Sequence, residues 1–157
     1  GFGVACATLV GKFMGEGKPD KAAVSMEAGV RWSLIFMGTM GVLFITFPKP
    51  ILQIFTNEPH VLDMGESALR ILGVAQFFDA VVMTLWFALS GAGNTKFPAV
   101  VDLSLAWLVF LPGSYIMGIV FGMGILGPWL AFAIYLFLYA VVITWKVLQG
   151  DWKEIEL

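Results

Sequence analysis

The chain has 157 residues, of which 59% are hydrophobic and 13% are charged. Soluble domains carry about 25% charged residues, so this composition excludes a water-soluble domain and indicates an integral membrane protein. The net charge of −2 argues against nucleic acid as a partner. The single cysteine excludes an internal disulfide framework. We therefore expect the lipid bilayer to be the main environment of this chain.

Five apolar segments follow one another, and residues that favour loops separate them. A spanning helix needs about 20 residues. The first segment is shorter and follows no initiator methionine, so it indicates the tail of a helix in a larger protein. The predicted helices are about 1–13 (truncated), 21–47, 65–92, 98–121 and 128–148. Together they predict a single all-α domain, a polytopic integral membrane helix bundle.

Glycines and one proline indicate where these helices approach each other and where one of them bends. Gly38 and Gly41 are small enough to admit a neighbouring helix, and Gly118 and Gly122 form a similar close-packing pattern. Pro112 falls in the middle of the fourth helix, where a proline removes a backbone hydrogen bond and kinks the helix. We therefore expect tight packing of several helices and a kink in one.

One carboxylate, that of Asp79, lies in the middle of the third apolar segment. A charge at this depth is costly and needs a reason. Four further residues recur at three- and four-residue steps and therefore share its face of the helix. They are Gln76, Met83, Trp86 and Ser90. The opposite side of the helix is made of valine, phenylalanine and leucine.

The residues alone leave two interpretations of Asp79 open. In the first, a carboxylate in a low-dielectric site exchanges a proton for Na⁺ or holds a cationic substrate. Trp86 then adds cation–π contact, with Gln76 and Met83 beside it. These properties suit an ion-coupled pump for bulky organic cations. In the second interpretation, Asp79 hydrogen-bonds to a neighbouring helix and the other side chains simply pack.

The remaining titratable residues have simpler explanations. Glu27 and Arg31 stand one turn apart in the favourable order, which predicts an ion pair near the membrane surface or a polar contact to substrate or a neighbouring helix. Asp102 lies near a helix start, where it favours the helix dipole and stays close to water. His60 is the only histidine and lacks the partners of a metal site, so we expect it in a solvated loop.

Basic residues predict the orientation of the helices. Lysines cluster in residues 12–21, 93–97 and 146–153, which share one side of the membrane if every helix spans it. Because positive charge marks the cytoplasmic side, we place the C-terminus in the cytoplasm and the protein in the cell membrane, plasma or inner. Trp145 and Trp152 are placed like anchors at the membrane interface.

Four stretches, in this order and spacing, resemble the C-terminal part of the MATE family, the multidrug and toxic compound extrusion transporters. They cover nearly the whole chain and are GKFMGEGKPDKA at 11–22, ILQIFTNEPHV at 51–61, FFDAVVMTLWFALSGAGNTKFPAV at 77–100, and LPGSYIMG at 111–118 followed by GILGPW at 124–129. The resemblance implies a partial C-terminal six-helix lobe of a two-lobe transporter.

The resemblance also implies secondary active transport, in which small organic cations or amphipathic compounds leave the cell by antiport with Na⁺ or H⁺. It implies no enzymatic activity and no cofactor beyond the coupling ion. Asp79 matches the acidic position of the family's tenth helix, which contributes to a cation site in Na⁺-linked members. Its companions would lie in the missing seventh helix and the missing N-terminal lobe of the same chain.

Three other functions fit parts of the sequence. A flippase of lipid-linked saccharides has a related architecture but needs basic residues inside the bundle, and only Arg31 and Arg70 approach that need. An intramembrane aspartyl protease needs a second acid at matched depth, whereas residues 91–94 read GAGN and Asp102 lies near the surface. A structural membrane subunit would use Asp79 for packing. Antiport is the function that the sequence favours.

Overall fold

The structure, a computed structural model, describes residues 1–154. Every regular element among these residues is helical. The helices are α1 (Phe2–Gly15), α2 (Pro19–Thr46), α3 (Pro48–Gln53), α4 (Pro59–Gly91), α5 (Lys96–Val120) and α6 (Leu126–Gln149), and a 3₁₀ turn at Asp151–Glu154 follows them. Four of them, α2, α4, α5 and α6, are long and apolar enough to cross a membrane. The prediction of an all-α membrane helix bundle is therefore confirmed.

Prolines set the beginning of three helices. Pro19, Pro48 and Pro59 each stand in the first turn, where the helical ladder does not use the missing N–H. The sequence predicts that the third long helix starts near residue 65, but α4 begins at Pro59 because this proline is compatible with a helix start. The polar residues after it form exposed first turns, and His60 lies in the first turn rather than in a loop.

Pro112 alters the hydrogen-bond register of α5. π-helical turns cover Ala106–Phe110 and Ile116–Val120, one before and one after the proline. The amide of Phe121 donates to the carbonyl oxygen of Ile116 at 2.9 Å, five residues back, as a π turn requires. Because Pro112 has no N–H, it cannot continue the α-helical ladder. The interruption of this helix thus takes the form of two π turns.

The central helix is α4, which packs against α1, α2 and α6. A Cβ atom added at Gly41 of α2 would stand 2.5 Å from the carbonyl oxygen of Gly73 of α4, a distance that real Cβ atoms essentially never show. A Cβ added at Gly91 of α4 would likewise clash with the backbone of Ala7 of α1. The predicted close approach at Gly41 is confirmed, and α4 is the helix that approaches.

Of the second pair of glycines, Gly118 and Gly122, only Gly118 packs against another helix. Gly118 lies against Gly127 at the start of α6, where an added Cβ would overlap the Gly118 backbone. A Cβ atom added at Gly122 would meet nothing within 4 Å, and this residue has a φ of 68°, in the left-handed region that favours glycine. The prediction that the two glycines form one helical face is wrong for Gly122, because α5 ends at Val120.

The chain beyond α6 folds back onto the bundle. Gly150 ends the helix in a left-handed conformation with a φ of 82°. This turn buries Trp152, whose indole N–H donates to the carbonyl oxygen of Val147 at 3.0 Å. The prediction that Trp152 anchors the membrane interface is therefore wrong, because the ring is packed in the core. Trp145 is 58% exposed, which is compatible with an interfacial position.

The close approach of α2 and α4 leads to a stability prediction. We expect Gly73→Ala to lower the free energy of unfolding by about 1–3 kcal/mol, because the added methyl group overpacks two backbones in contact. The measurement is the thermal unfolding midpoint in detergent. Gly15→Ala is the matched control, since nothing lies within 4 Å of a Cβ at that position. An equal shift in the two variants would contradict the packing role of Gly73.

Candidate functional site

The carboxylate of Asp79 is half-buried on the central helix. At 1.5 Å per residue, it lies about 30 Å from the first residue of α4 and about 18 Å from the last. Among residues 1–154, none donates a hydrogen bond to it or forms an ion pair with it. An ionisable side chain in a spanning helix ordinarily has a partner, so its lack of one marks a candidate functional site.

The predicted companions of this carboxylate differ in their surroundings. Gln76 packs beside Gly41, at the crossing of α2 and α4. Met83 is 48% exposed. Trp86 is half-buried, and its ring meets that of Phe87 edge to face, with 5.1 Å between the centroids. All three predicted residues lie on the same helix as the acid, but the structure joins none of them to it by a hydrogen bond.

Asp102 of α5 is held inside the bundle by a tyrosine of α6. The hydroxyl of Tyr135 donates a hydrogen bond to Asp102 Oδ1, and Asp102 is half-buried. One turn further along α6, the hydroxyl of Tyr139 donates to the carbonyl oxygen of Pro98 at 2.7 Å. Asp102 therefore has a hydrogen-bond partner on α6 that its position near a helix start does not predict.

Sequence reasoning missed both tyrosines. Tyr135 and Tyr139 are 33 and 41 residues away from their acceptors, so no local spacing reveals the pairing. The available signal is their occurrence one turn apart in an apolar helix. A buried tyrosine hydroxyl usually finds a hydrogen-bond partner, which would have pointed to a polar group on a neighbouring helix.

Tyr135 lies on α6, a helix that packs against both α4 and α5. It donates to Asp102 of α5, while Asp79 lies on α4. The rings of Phe110 and Phe132 surround this tyrosine, each with its centroid 6.0 Å from that of Tyr135. Carboxylates and aromatic faces both attract organic cations. The region between α4, α5 and α6 therefore has chemistry suited to a bulky cation.

A metal ion would need further ligands. Within the part of the chain that the structure describes, no group of three or more histidine, cysteine, aspartate or glutamate side chains is placed to hold a metal ion. Asp79, the predicted Na⁺ contact, contributes one carboxylate.

The predicted ion pair between Glu27 and Arg31 does not form. Both side chains are exposed, and neither has an ionic partner within residues 1–154. Fixing two long exposed side chains in one geometry offsets most of the Coulomb attraction, so the favourable spacing alone does not form a pair. By contrast, Glu66 contacts both Arg70 at 2.8 Å and Lys49 at 3.3 Å, which links α3 to α4.

The hydrogen bond between α5 and α6 leads to a second prediction. We expect Tyr135→Phe to destabilise the protein by about 1–3 kcal/mol, because the half-buried Asp102 loses its donor. The measurement is again the thermal unfolding midpoint in detergent. Tyr115→Phe is the control, since that tyrosine is 59% exposed. A Tyr135→Phe variant as stable as this control would show that the bond contributes nothing to stability.

Comparison with known proteins identifies relatives along almost the whole chain. Residues 1–116 match the MatE family. The chain is 31% identical to the "Probable multidrug resistance protein NorM" of Thermotoga maritima, covering 98% of this chain and 33% of that protein. It is 26% identical to the human "Multidrug and toxin extrusion protein 1", covering 98% of this chain and 27% of that protein. The chain thus spans a third or less of the length of these relatives.

A solved structure has the same fold. The eukaryotic MATE transporter AtDTX14 matches with a TM-score of 0.88 at 23% identity, covering 98% of this chain and 34% of that chain. The likeness at this level of identity concerns the fold. The family match covers both Asp79 of α4 and Asp102 of α5. The chain therefore belongs to the MatE family.

Proposed function

We propose that the full-length protein is a secondary active transporter that exports organic cations or amphipathic compounds in exchange for Na⁺ or H⁺. The observation that carries this proposal is the half-buried carboxylate of Asp79, which is unpaired among the described residues and lies on a helix that packs against α6. The family match supports the same function. This chain supplies part of the C-terminal lobe, and an N-terminal lobe of the same protein completes the site.

In this proposal, Asp79 binds the coupling ion and the substrate in turn. A carboxylate among apolar helices is costly unless a proton, a metal cation or an organic cation neutralises it. Binding of the coupling ion therefore displaces a bound organic cation, and release of the ion restores the affinity for the next one. Because the two ligands exclude each other on one carboxylate, their movements across the membrane run in opposite directions.

Three residues of α4 shape the substrate region. Trp86 offers an aromatic face, which attracts cations. Met83 is half exposed, and its flexible, polarisable thioether adapts to ligands of different shapes. Gln76 supplies an amide that donates and accepts hydrogen bonds. Adaptable apolar surface around one fixed charge favours a broad range of cationic substrates.

We also propose that the protein lies in the plasma or inner membrane with its C-terminus in the cytoplasm. The lysine-rich loops lie at one end of the bundle. Lys153 Nζ is 3.2 Å from Asp20 Oδ1, and Lys146 Nζ lies 5.4 Å from the ring centroid of Phe97. Because positive loops favour the cytoplasmic side, this end is the cytoplasmic one.

The transport proposal is tested by Asp79→Asn in the full-length protein. We expect ion-gradient-driven export of an organic cation to fall to background while the protein still folds and inserts, because the amide cannot exchange cations. The measurement is ethidium efflux from proteoliposomes under an imposed Na⁺ or H⁺ gradient. The gradient that drives efflux in the unmodified protein identifies the coupling ion.

Asp63→Asn is the matched control, since this acid lies on the same helix but is exposed in its first turns. Unchanged efflux in Asp79→Asn would contradict the role given to Asp79. A variant that unfolds in detergent, so that efflux and folded protein are lost together, would support the interpretation that Asp79 serves packing.

A further inference from the structure

A second polar feature lies on α2. Glu27 and Arg31 are one turn apart, and neither is paired within the described part of the chain. At 1.5 Å per residue, Arg31 lies about 18 Å along the helix from Pro19. Charges within a spanning helix usually have a partner. A local explanation would pair these two side chains with each other, and that pair does not form.

A groove of about 970 Å³ opens beside these charges, between α2, α4, α6 and the 3₁₀ turn. Much of its lining is apolar and includes Met26, Val30, Leu34, Val81, Leu85 and Val147. Three charged residues also line it, namely Glu27, Arg31 and Lys153. Its volume lies within the range of small-molecule sites, roughly 300–1,000 Å³. The groove is therefore large enough for an amphiphile with a polar end.

A smaller hollow of about 410 Å³ adjoins the same two charges. Its apolar lining includes Val24, Trp32 and Ile35. Because Glu27 and Arg31 line both spaces, a pair of opposite charges stands where two apolar hollows meet. A lipid with one polar headgroup and two apolar chains matches this arrangement.

The groove faces away from the candidate cation site. Val81 and Leu85 of α4 line it, and at about 100° per residue they lie roughly 200° and 240° around the helix from Asp79. Beside it, Trp32 is 60% exposed and Leu148 is 79% exposed. Large apolar side chains exposed along spanning helices are suited to contact with lipid chains. The groove therefore opens onto an apolar surface of these helices that suits lipid chains.

We propose that this groove binds one phospholipid whose headgroup carries a primary amine, such as phosphatidylethanolamine. The guanidinium of Arg31 and the ammonium of Lys153 donate hydrogen bonds to the lipid phosphate, and the lipid ammonium donates to the carboxylate of Glu27. The two acyl chains fill the two hollows. This one ligand pairs both unpaired charges and covers the apolar surface around them.

Lys153 is available for this contact. It is bridged to Asp20 at 3.2 Å, and the side chain of Asp20 is 96% exposed. An exposed ion pair of this kind contributes little, typically below about 1 kcal/mol. The lysine can therefore turn from Asp20 to a phosphate without a large loss.

Glu27 determines the headgroup preference. A primary ammonium has three N–H donors for a carboxylate, whereas the quaternary ammonium of phosphatidylcholine has none. Phosphatidylglycerol has no positive charge and would leave Glu27 beside an anion without a partner. The site therefore favours the amine lipid over the other two.

The test is native mass spectrometry of the full-length protein reconstituted in an equimolar mixture of palmitoyl-oleoyl phosphatidylethanolamine, phosphatidylcholine and phosphatidylglycerol. We expect phosphatidylethanolamine to be retained at least about tenfold more than phosphatidylcholine, the ratio that one hydrogen bond between charged groups provides. Glu27→Gln should make the two equal. Arg31→Gln should reduce the retention of all three lipids, because each carries the phosphate.

Glu16→Gln is the matched control, since this acid is exposed in the loop before α2 and does not line the groove. Arg31→Lys keeps the positive charge and should retain the lipids even if Arg31→Gln does not fold. Equal retention of the three lipids by the unmodified protein would overturn the proposal, and so would a preference that survives Glu27→Gln. The readout requires no transport, so its outcome is independent of the function proposed above.

Discussion

The arrangement of this bundle depends on the close approach of α4 to its neighbours at glycine residues. Apolar helices gain no hydrophobic energy by associating in lipid, so packing and hydrogen bonds hold them together. Gly73 meets Gly41 of α2, and Gly91 meets Ala7 of α1. Both glycines of α4 lie roughly 120° around the helix from Asp79, at about 100° per residue. The contacts at these two glycines therefore hold α4 against α1 and α2, while the carboxylate lies on a different side of the helix.

Hydrogen-bonded polar groups inside the bundle show why the unpaired charges are informative. Tyr135 donates to Asp102, Tyr139 donates to a backbone carbonyl oxygen, and the buried hydroxyl of Thr84 donates to the carbonyl oxygen of Ala80 at 2.7 Å. Each of these hydroxyl groups finds its acceptor within the chain, because an unpaired polar group is costly in a low-dielectric environment. A charge that lacks such a partner in the same environment costs stability unless a ligand binds it, so the unpaired charges mark candidate sites.

Hydropathy and spacing predict the long helices and single out Asp79, because both follow from the residues of one segment. Contacts between segments could not be predicted in the same way. The partner of Asp102 is 33 residues away, and Trp152 is buried only because the chain turns back at Gly150. The early start of α4 at Pro59 was missed for a local reason, since a proline is compatible with both a loop and a first helical turn.

The place of Asp79 on α4 differs from that of its neighbours in how far a side chain is buried and whether a ligand can reach it. One position later, Ala80 is fully buried, so a carboxylate there would have no access to a ligand. Val82, three positions later, is 2% exposed and would enclose a charge without access for a ligand. The sector around Asp79, which includes the partly exposed Met83, combines partial burial with access. An ion-exchanging carboxylate needs both, because burial gives the charge its affinity for a cation and access lets the cation leave.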